Sequence, residues 1–280
     1  MKTVNCNGKL LSFSRPQIMG IVNLTADSFH KSSRVSSLDD ALQIINRMIA
    51  EGAAVIDIGG QSSRPRAERI SAEDELSRLV GPITEIRRAF PKIIISVDTF
   101  YSKVAEELIG IGVDIINDIS AGSIDPDIVR VVGESRAAYV LMHMLGTPQT
   151  MQDNPSYEAV CMDILKFLQR KLYELQKLNV TEVLIDPGIG FGKTVSQNFE
   201  ILRKLNVFKV LGRPIMVGLS RKSLIYKTLG ISSNEALNGT SVLHLAALQQ
   251  GAKMLRVHDV KEANETIRLF ENLQAPYQAD

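Results

Sequence analysis

Asp186-Pro-Gly-Ile-Gly-Phe-Gly-Lys193 is the stretch whose reading decides the fold. Val183, Leu184 and Ile185 precede it, an apolar and mostly β-branched run that reads as a buried strand. Ser196 and then Phe199, Leu202 and Leu205 follow it, spaced like the inner face of a helix. A carboxylate therefore stands where a parallel strand ends and a glycine-rich turn begins, the place where α/β folds hold ligands. Pro187 fixes one dihedral, and Gly188, Gly190 and Gly192 let backbone approach a flat ligand or turn in ways closed to other residues. Taken alone, the stretch reads equally well as a helix N-cap aspartate followed by an ordinary loop. Recurrence of the same design along the chain separates the two readings.

Eight short apolar runs end in a polar or glycine-rich turn: Ile18 to Asn23, Ala54 to Ile58, Ile93 to Asp98, Asp114 to Asn117, Ala138 to His143, Val183 to Asp186, Ile215 to Leu219 and Met254 to Val257. Helix-period stripes separate most of them, such as Leu38, Ala41, Leu42, Ile45 and Met48 behind Ser37, or Leu76, Leu79, Val80 and Ile83 behind Ser71 and Asp74. Asp125-Pro126 opens a further helix, and Asn238 to Gln250, closed by Gly251, precedes the last run. Buried strands alternating with helices mean a parallel sheet, and eight units at this length match a closed (β/α)8 TIM barrel. The expectation is one α/β domain over 1–280, with its core at about 15–275. A doubly wound open sheet is the alternative, but Asn23-Leu-Thr-Ala-Asp27 lacks the glycines of a dinucleotide fingerprint and no Walker-type loop occurs. Two polar connections, Thr25 to Ser37 and Gln61 to Ile70, read as loops able to close over a barrel mouth.

Bulk properties exclude several function classes. Net charge is +1, which announces no surface for nucleic acid, and aromatics at 5% with no Trp argue against a base-stacking platform. Cys6 and Cys161 are far apart without zinc-ligand spacing and read as free thiols in a reducing compartment. No signal-peptide layout and no membrane-length apolar run is present, so the expectation is a cytoplasmic protein.

In a barrel, the C-terminal strand ends face one mouth: Asn23, Asp57, Asp98, Asn117, His143, Asp186, Ser220 to Lys222, and Arg256 with His258. Asp98, Asn117 and Asp186 offer acceptors suited to the N–H edge of a nitrogen heterocycle. Arg64, Lys222, Arg256 and His258 are donors suited to an anion such as phosphate. Asp57, between Ile56 and Ile58, reads rather as a core residue satisfied by loop amides. His143 reads as either a packed neutral histidine or a ligand contact. Ser220-Arg-Lys222 opens a helix, where two cations oppose the macrodipole and call for a compensating anion. Arg256 and His258 alternate along a strand and so point the same way.

These residues carry a resemblance. Met19 to Phe29, Ile56 to Pro65, Ser96 to Thr99, Ile116 to Ile119, His143 to Pro148, Asp186 to Lys193, Gly218 to Lys222 and Arg256 to Asp259 resemble, in order, the motifs of the dihydropteroate synthase family. The resemblance implies a pterin-binding TIM barrel and a transferase of folate biosynthesis. Its reaction joins 4-aminobenzoate to (7,8-dihydropterin-6-yl)methyl diphosphate, releasing pyrophosphate. It assigns Asp98, Asn117, Asp186 and Lys222 to the pterin, and Asn23, Arg256 and His258 to the diphosphate. Mg2+ is the implied cofactor, held on the diphosphate with Asn23 as its protein ligand. Ser63, Arg64, Pro65 and Ser220 are assigned to the aminobenzoate pocket, and Met142, Phe191 and Gly218 join the substrate-binding set. Catalytic roles fall to Asp98, Asp186, Lys222 and Arg64. The implied mechanism is dissociative, and the implied partners are two small-molecule substrates and a second copy in a homodimer. Sulfonamides are the implied inhibitors.

The chain departs from the family's pattern in both loops. Thr25-Ala-Asp-Ser-Phe-His-Lys-Ser-Ser33 lacks the usual proline and glycines, and Gln61-Ser-Ser-Arg-Pro-Arg66 replaces a glutamate and a glycine. These changes bear on loop closure, Mg2+ affinity and sulfonamide response more than on the reaction. Two relatives of the same fold stand as alternatives: a pterin-dependent methyltransferase domain and a non-catalytic pterin-binding protein.

Overall fold

In the computed structural model, which describes residues 2–24, 38–61, 68–151 and 155–275, eight parallel strands form one sheet. They are β3 (Gln17–Asn23), β4 (Val55–Gly59), β5 (Ile94–Asp98), β6 (Ile115–Asp118), β7 (Ala138–Met142), β8 (Val183–Asp186), β9 (Met216–Val217) and β10 (Met254–Val257). Their order is β8-β7-β6-β5-β4-β3-β10-β9. A parallel bridge between Ile185 and Ile215, with Ile185 N–H donating to Pro214 O at 3.0 Å, brings the ends together and closes the barrel. The expected TIM barrel is thus the observed fold. The seventh barrel strand is shorter than the expected Ile215 to Leu219, because the chain leaves the ladder after Val217 to turn at Ser220 to Lys222, where Arg221 has φ +55°.

Helices α1 (Leu38–Ala50), α2 (Ala72–Ala89), α3 (Ser102–Gly110), α4 (Asp127–Glu134), α5 (Val160–Lys177), α6 (Val195–Arg203), α7 (Ser223–Leu229), α8 (Leu237–Gln249) and α9 (Val260–Gln274) surround the strands. Ser71 caps α2 as its sequence suggests, accepting from Asp74 N–H at 3.0 Å. The cap of α6 is Thr194, in a capping box with Gln197. No helix among the described residues is long and apolar enough to cross a membrane.

Side-chain parity divides the core into zones. Outward residues such as Ile56, Ile58, Ile95 and Val97 pack against Ile45, Leu79, Ile83 and Leu108 of the helices. Each such side chain contributes roughly 1.5–3 kcal/mol relative to exposure. Inward residues near the strand starts, including Val55, Ile94, Ile115, Leu184 and Met254, fill the barrel floor.

An antiparallel hairpin seals that floor from below. Its strands are β1 (Thr3–Cys6) and β2 (Lys9–Ser12), joined by Asn7 at φ 51° and Gly8 at φ 90°. Positive φ at both central residues is the type I′ turn that matches strand twist. Val4, Cys6 and Leu11 pack upward into the floor. Lys9 Nζ reaches Asp114 Oδ2 at 2.8 Å, and Arg87 Nη2 reaches the same oxygen at 2.5 Å. The core therefore begins near residue 3 rather than 15, since the barrel bottom would otherwise open to water.

Candidate active site

The period-two pleat that fills the floor with apolar groups places polar ones at the mouth. Along β4, Val55 faces the floor while Ile56 and Ile58 face the helices, so Asp57 and Gly59 point inward above Val55. Register then sets neighbours: Asp57 lies beside Ser96, Asp98 beside Gly59 and Asn117, and Met142 beside Asp186. Asn23 ends β3 opposite Gly59. A methyl group on Gly59 would stand 3.3 Å from Asn23 Oδ1 and 3.8 Å from Asp98 Cβ, so these two site residues are held close by the absence of a side chain between them.

Arg256 is the centre of a charge network. Its Nε donates to Asp57 Oδ2 at 2.6 Å and its Nη2 to Asp98 Oδ2 at 2.9 Å. Asp57 also accepts from Ser96 Oγ at 2.5 Å and Asn117 Nδ2 at 3.1 Å. Asp57 is thus buried, as expected, but side chains rather than loop amides satisfy it. It acts as a hub that orients Arg256 and turns the Asn117 amide so that its oxygen faces away from the bond. Burial raises the Asp98 carboxyl above its usual range, against the pull of Arg256 and with the repulsion of Asp57.

The glycine-rich turn forms the opposite wall. Asp186 Oδ1 accepts from Gly188 N–H at 2.7 Å, closing an Asx turn. Gly188 has φ +70°, and a methyl there would fall 1.8 Å from His143 O, so only glycine fits. Lys222 stretches across this turn, its Nζ donating to Ile189 O at 2.5 Å and lying 4.6 Å from the centre of the Phe191 ring. Gly190 and Gly218 leave the slot for its stem: methyls would meet Lys222 Cδ at 3.0 Å and Nζ at 3.5 Å. A methyl on Gly218 would also stand 4.0 Å from Arg256 Cβ, so Lys222 and Arg256 border one space. Burial lowers Lys222 to about 8, opposed by Asp186, while burial raises Asp186. Phe191 and Met142 share an apolar cluster with Phe100, Ile119 and Met151.

Ser220 and His258 meet at the third side, with Ser220 Oγ 3.0 Å from His258 Nδ1 and accepting from His258 N–H at 3.3 Å. Arg221, expected beside Lys222 at a helix start, instead forms a two-pronged bridge to Asp259, Nε to Oδ2 and Nη2 to Oδ1, both at 2.9 Å. The compensating anion for that cation is therefore part of the chain, and the bridge clasps the β9 exit to the β10 exit.

His143 resolves to the packed reading. Its ring stands edge-on to Phe167 at 4.9 Å, and burial with the nearby Lys193 charge lowers it to about 3, so it is neutral. Lys193, which the sequence had not marked for the site, is buried with its Nζ 3.0 Å from His143 Nδ1. It donates to the carbonyls of His143, Gly188 and Phe191 at 3.2, 2.9 and 2.8 Å, clamping the turn from behind, and burial lowers it to about 7. Ser63, Arg64, Pro65 and Arg66 lie outside the described residues, as does Thr25 to Ser37.

Among the described residues no three His, Cys, Asp or Glu side chains gather to cage a metal. Asn23 remains as a neutral oxygen donor at the half-buried rim. That set fits Mg2+ of the kind that keeps several waters and takes further ligands from substrate phosphates.

Comparison with known proteins agrees with this geometry. The family described as pterin binding enzyme matches residues 19–258. Dihydropteroate synthase of Haemophilus influenzae is 41% identical over 267 residues, covering 95% of this chain and 96% of that protein. The Escherichia coli K12 enzyme of the same name is 39% identical over 94% of each chain. The Yersinia pestis dihydropteroate synthase, solved with a sulfonamide drug, superposes with a TM-score of 0.92 at 35% identity, covering 97% of this chain and 99% of that one. The Xanthomonas albilineans enzyme, solved with 4-aminobenzoic acid, gives 0.90 at 34% identity over 99% of each. With a barrel mouth of acceptors and cations and matches of this extent, the chain belongs to the pterin-binding enzyme family, among the dihydropteroate synthases.

Proposed function

We propose that the chain condenses 4-aminobenzoate with (7,8-dihydropterin-6-yl)methyl diphosphate to give 7,8-dihydropteroate and pyrophosphate. The observation that carries the reading is the single Arg256 network: it joins Asp57 and Asp98, while Lys222 borders the same space across Gly218. Heterocycle acceptors and anion donors therefore line one cup. In this reading Asn117 Oδ1, Asp98 and Asp186 accept from the pterin N–H edge, with Phe191 and Met142 supplying apolar contact. Asn23, Arg256 and His258 face the diphosphate.

The reaction breaks the bond between the pterin's methylene carbon and the diphosphate oxygen, which leaves with the electron pair. The arylamine nitrogen forms the new bond to that carbon and gives its proton to solvent. Positive charge that develops on the pterin is stabilised by Asp98 and Asp186, already oriented before substrate arrives. Lys222 Nζ rests on Ile189 O and over the Phe191 ring, and in this reading it turns from them to a polar atom of the heterocycle. Asn23 would hold Mg2+ together with the diphosphate, and the ion would supply neutralising charge for the leaving group. Ser63, Arg64 and Ser220 are proposed to bound the arylamine, the position at which sulfonamides compete.

A homodimer is part of the proposal, supported by exposed Leu229 on α7, Val242 on α8 and Leu269 and Leu273 on α9. Buried, free Cys6 and Cys161 suit the cytoplasm. The test of the activity is direct: purified chain with both substrates and Mg2+ is expected to release pyrophosphate and form pteroate. Pterin binding without turnover would replace this reading with the non-catalytic one.

A further inference from the structure

Glu75 lies in the first turn of α2 and is wholly buried, whereas Glu73 two residues earlier faces solvent. Its carboxylate accepts from Thr99 Oγ1 at 2.7 Å and from Gln61 Nε2 at 3.1 Å. Thr99 follows Asp98 directly, and its N–H donates to Asn117 O at 3.2 Å. Gln61 ends the exit of β4, the same exit whose Gly59 adjoins Asn23 and Asp98. The helix grips this exit at two further points. Arg78 Nη1 donates to Gly60 O at 3.1 Å, and Leu79 lies so close that a methyl on Gly60 would stand 2.9 Å from Leu79 Cγ.

A carboxylate buried without an ion-pair partner among the described residues is unfavourable, and an apolar side chain of equal volume would pack there at lower cost. Burial pushes Glu75 up to about 7, opposed by its two hydrogen bonds. Capping does not require the group, since Ser71 caps the helix, and two further acids, Glu73 and Asp74, stand in the same first turn. Its two bonds instead run to two adjacent strand exits.

We propose that Glu75 is a positioning residue for the reaction, setting the β4 exit through Gln61 and the β5 exit through Thr99. The inference rests on the proposed function, which assigns Asn23 and Asp98, beside those exits, to diphosphate and pterin. Removing the carboxylate lets both exits shift by tenths of an ångström, which differential binding of the transition state registers before ground-state affinity does.

The test is steady-state kinetics of the full-length chain bearing Glu75→Leu, Glu75→Gln, and the pair Gln61→Leu with Thr99→Val. Glu75→Leu is expected to lower kcat/KM for the pterin diphosphate about thirtyfold, mostly in kcat. Glu75→Gln, which can hydrogen-bond to both partners, is expected to return to within about threefold of the unaltered chain. The Gln61→Leu/Thr99→Val pair keeps Glu75 and is expected to match Glu75→Leu; adding Glu75→Leu to it should cost little more, because the three residues act as one unit. Should Glu75→Leu be recovered unfolded, the pair supplies the same comparison. Folded variants with a lowered Tm but unchanged kcat/KM, or Glu75→Gln as impaired as Glu75→Leu, would overturn the proposal. Turnover by the unaltered chain in the same assay keeps failure of the positioning role distinct from failure of the activity.

Discussion

Arg256 and Asp57 are bonded at 2.6 Å although 199 residues separate them in the chain. Asp57 comes from β4 and Arg256 from β10, two strands that β3 keeps apart in the sheet. The bond therefore spans the barrel interior, and a second one, to Asp98 on β5, carries the guanidinium toward the mouth. The cation's position depends on two carboxylates, only one of which is proposed to touch substrate.

Asp57→Ala should therefore act as a site variant although Asp57 lies beneath the mouth. It strips Arg256 of its shorter partner and leaves the Asn117 amide and the Ser96 hydroxyl without an acceptor. Breaking one side of a buried charge network costs about 3–5 kcal/mol, here reduced because Asp98 remains. The expected result is about 3 kcal/mol lost in urea denaturation and a tenfold or greater loss of pterin affinity by titration. Asp57→Asn, which keeps an acceptor, should lose less on both counts.

The glycine-rich turn separates two effects that a single alanine scan would merge. Gly188→Ala sets a methyl against the His143 carbonyl in a left-handed conformation, so backbone must move and stability should fall by several kcal/mol, roughly 2–4. Gly190→Ala also has positive φ, but its methyl meets the Lys222 stem at 3.0 Å, which can swing aside. Stability should fall by only about 1–2 kcal/mol while pterin affinity drops disproportionately. Equal ratios of the two losses in both variants would argue against Lys222 lying in that slot.

Much of this was legible from residues alone, and what was missed has identifiable physical causes. Val183 to Asp186 is a strand with the bounds read from its β-branched run, since such a run has few other homes. The hairpin at Thr3–Ser12 was missed although Asn7-Gly8 is a strong two-residue turn signal, because its strands are short and polar outside. The capping-box pattern of Thr194 and Gln197 was likewise passed over. Which residues share the barrel mouth was legible where position at a strand end sufficed, as for Asp98, Asn117 and Asp186. Asp57 was read at the mouth and as buried, but its partners were not, because they lie 39, 60 and 199 residues away and nothing local distinguishes them from loop amides. Lys193 gave no signal beyond following a glycine, since its partners are backbone carbonyls, which every sequence supplies.

Magnesium should matter for turnover and not for folding. With Asn23 the single proposed protein ligand and no cage of acids or histidines among the described residues, chelation should leave Tm within about 1 °C while abolishing pyrophosphate release. Asn23→Ala should raise the Mg2+ concentration needed for half-maximal turnover by about tenfold, with the pterin alone binding as before. A melting point that drops on chelation would indicate a structural metal elsewhere.

His244 gives the opposite kind of prediction, a variant that improves the protein. It is buried in α8, and its Nε2 is the one buried side-chain nitrogen or oxygen without a partner among the described residues. Burial lowers it to about 4, with Asp259 pulling weakly the other way. The folded pKa lies below the unfolded one near 6.5, so the unfolded chain takes up a proton first as pH falls. The stability tied to a neutral His244 is complete above about pH 6.5 and is lost progressively as pH drops toward 4. His244→Leu removes both the unsatisfied nitrogen and this proton linkage. It should gain about 1–2 kcal/mol at pH 7.5, and the gain should widen by pH 5. Paired urea melts at the two pH values read this out, and a gain that is constant or shrinks on acidification would show that His244 is already charged or solvated in the fold. Because no hydrogen bond or ion pair among the described residues joins His244 to the mouth residues, kcat and both KM values should be unchanged.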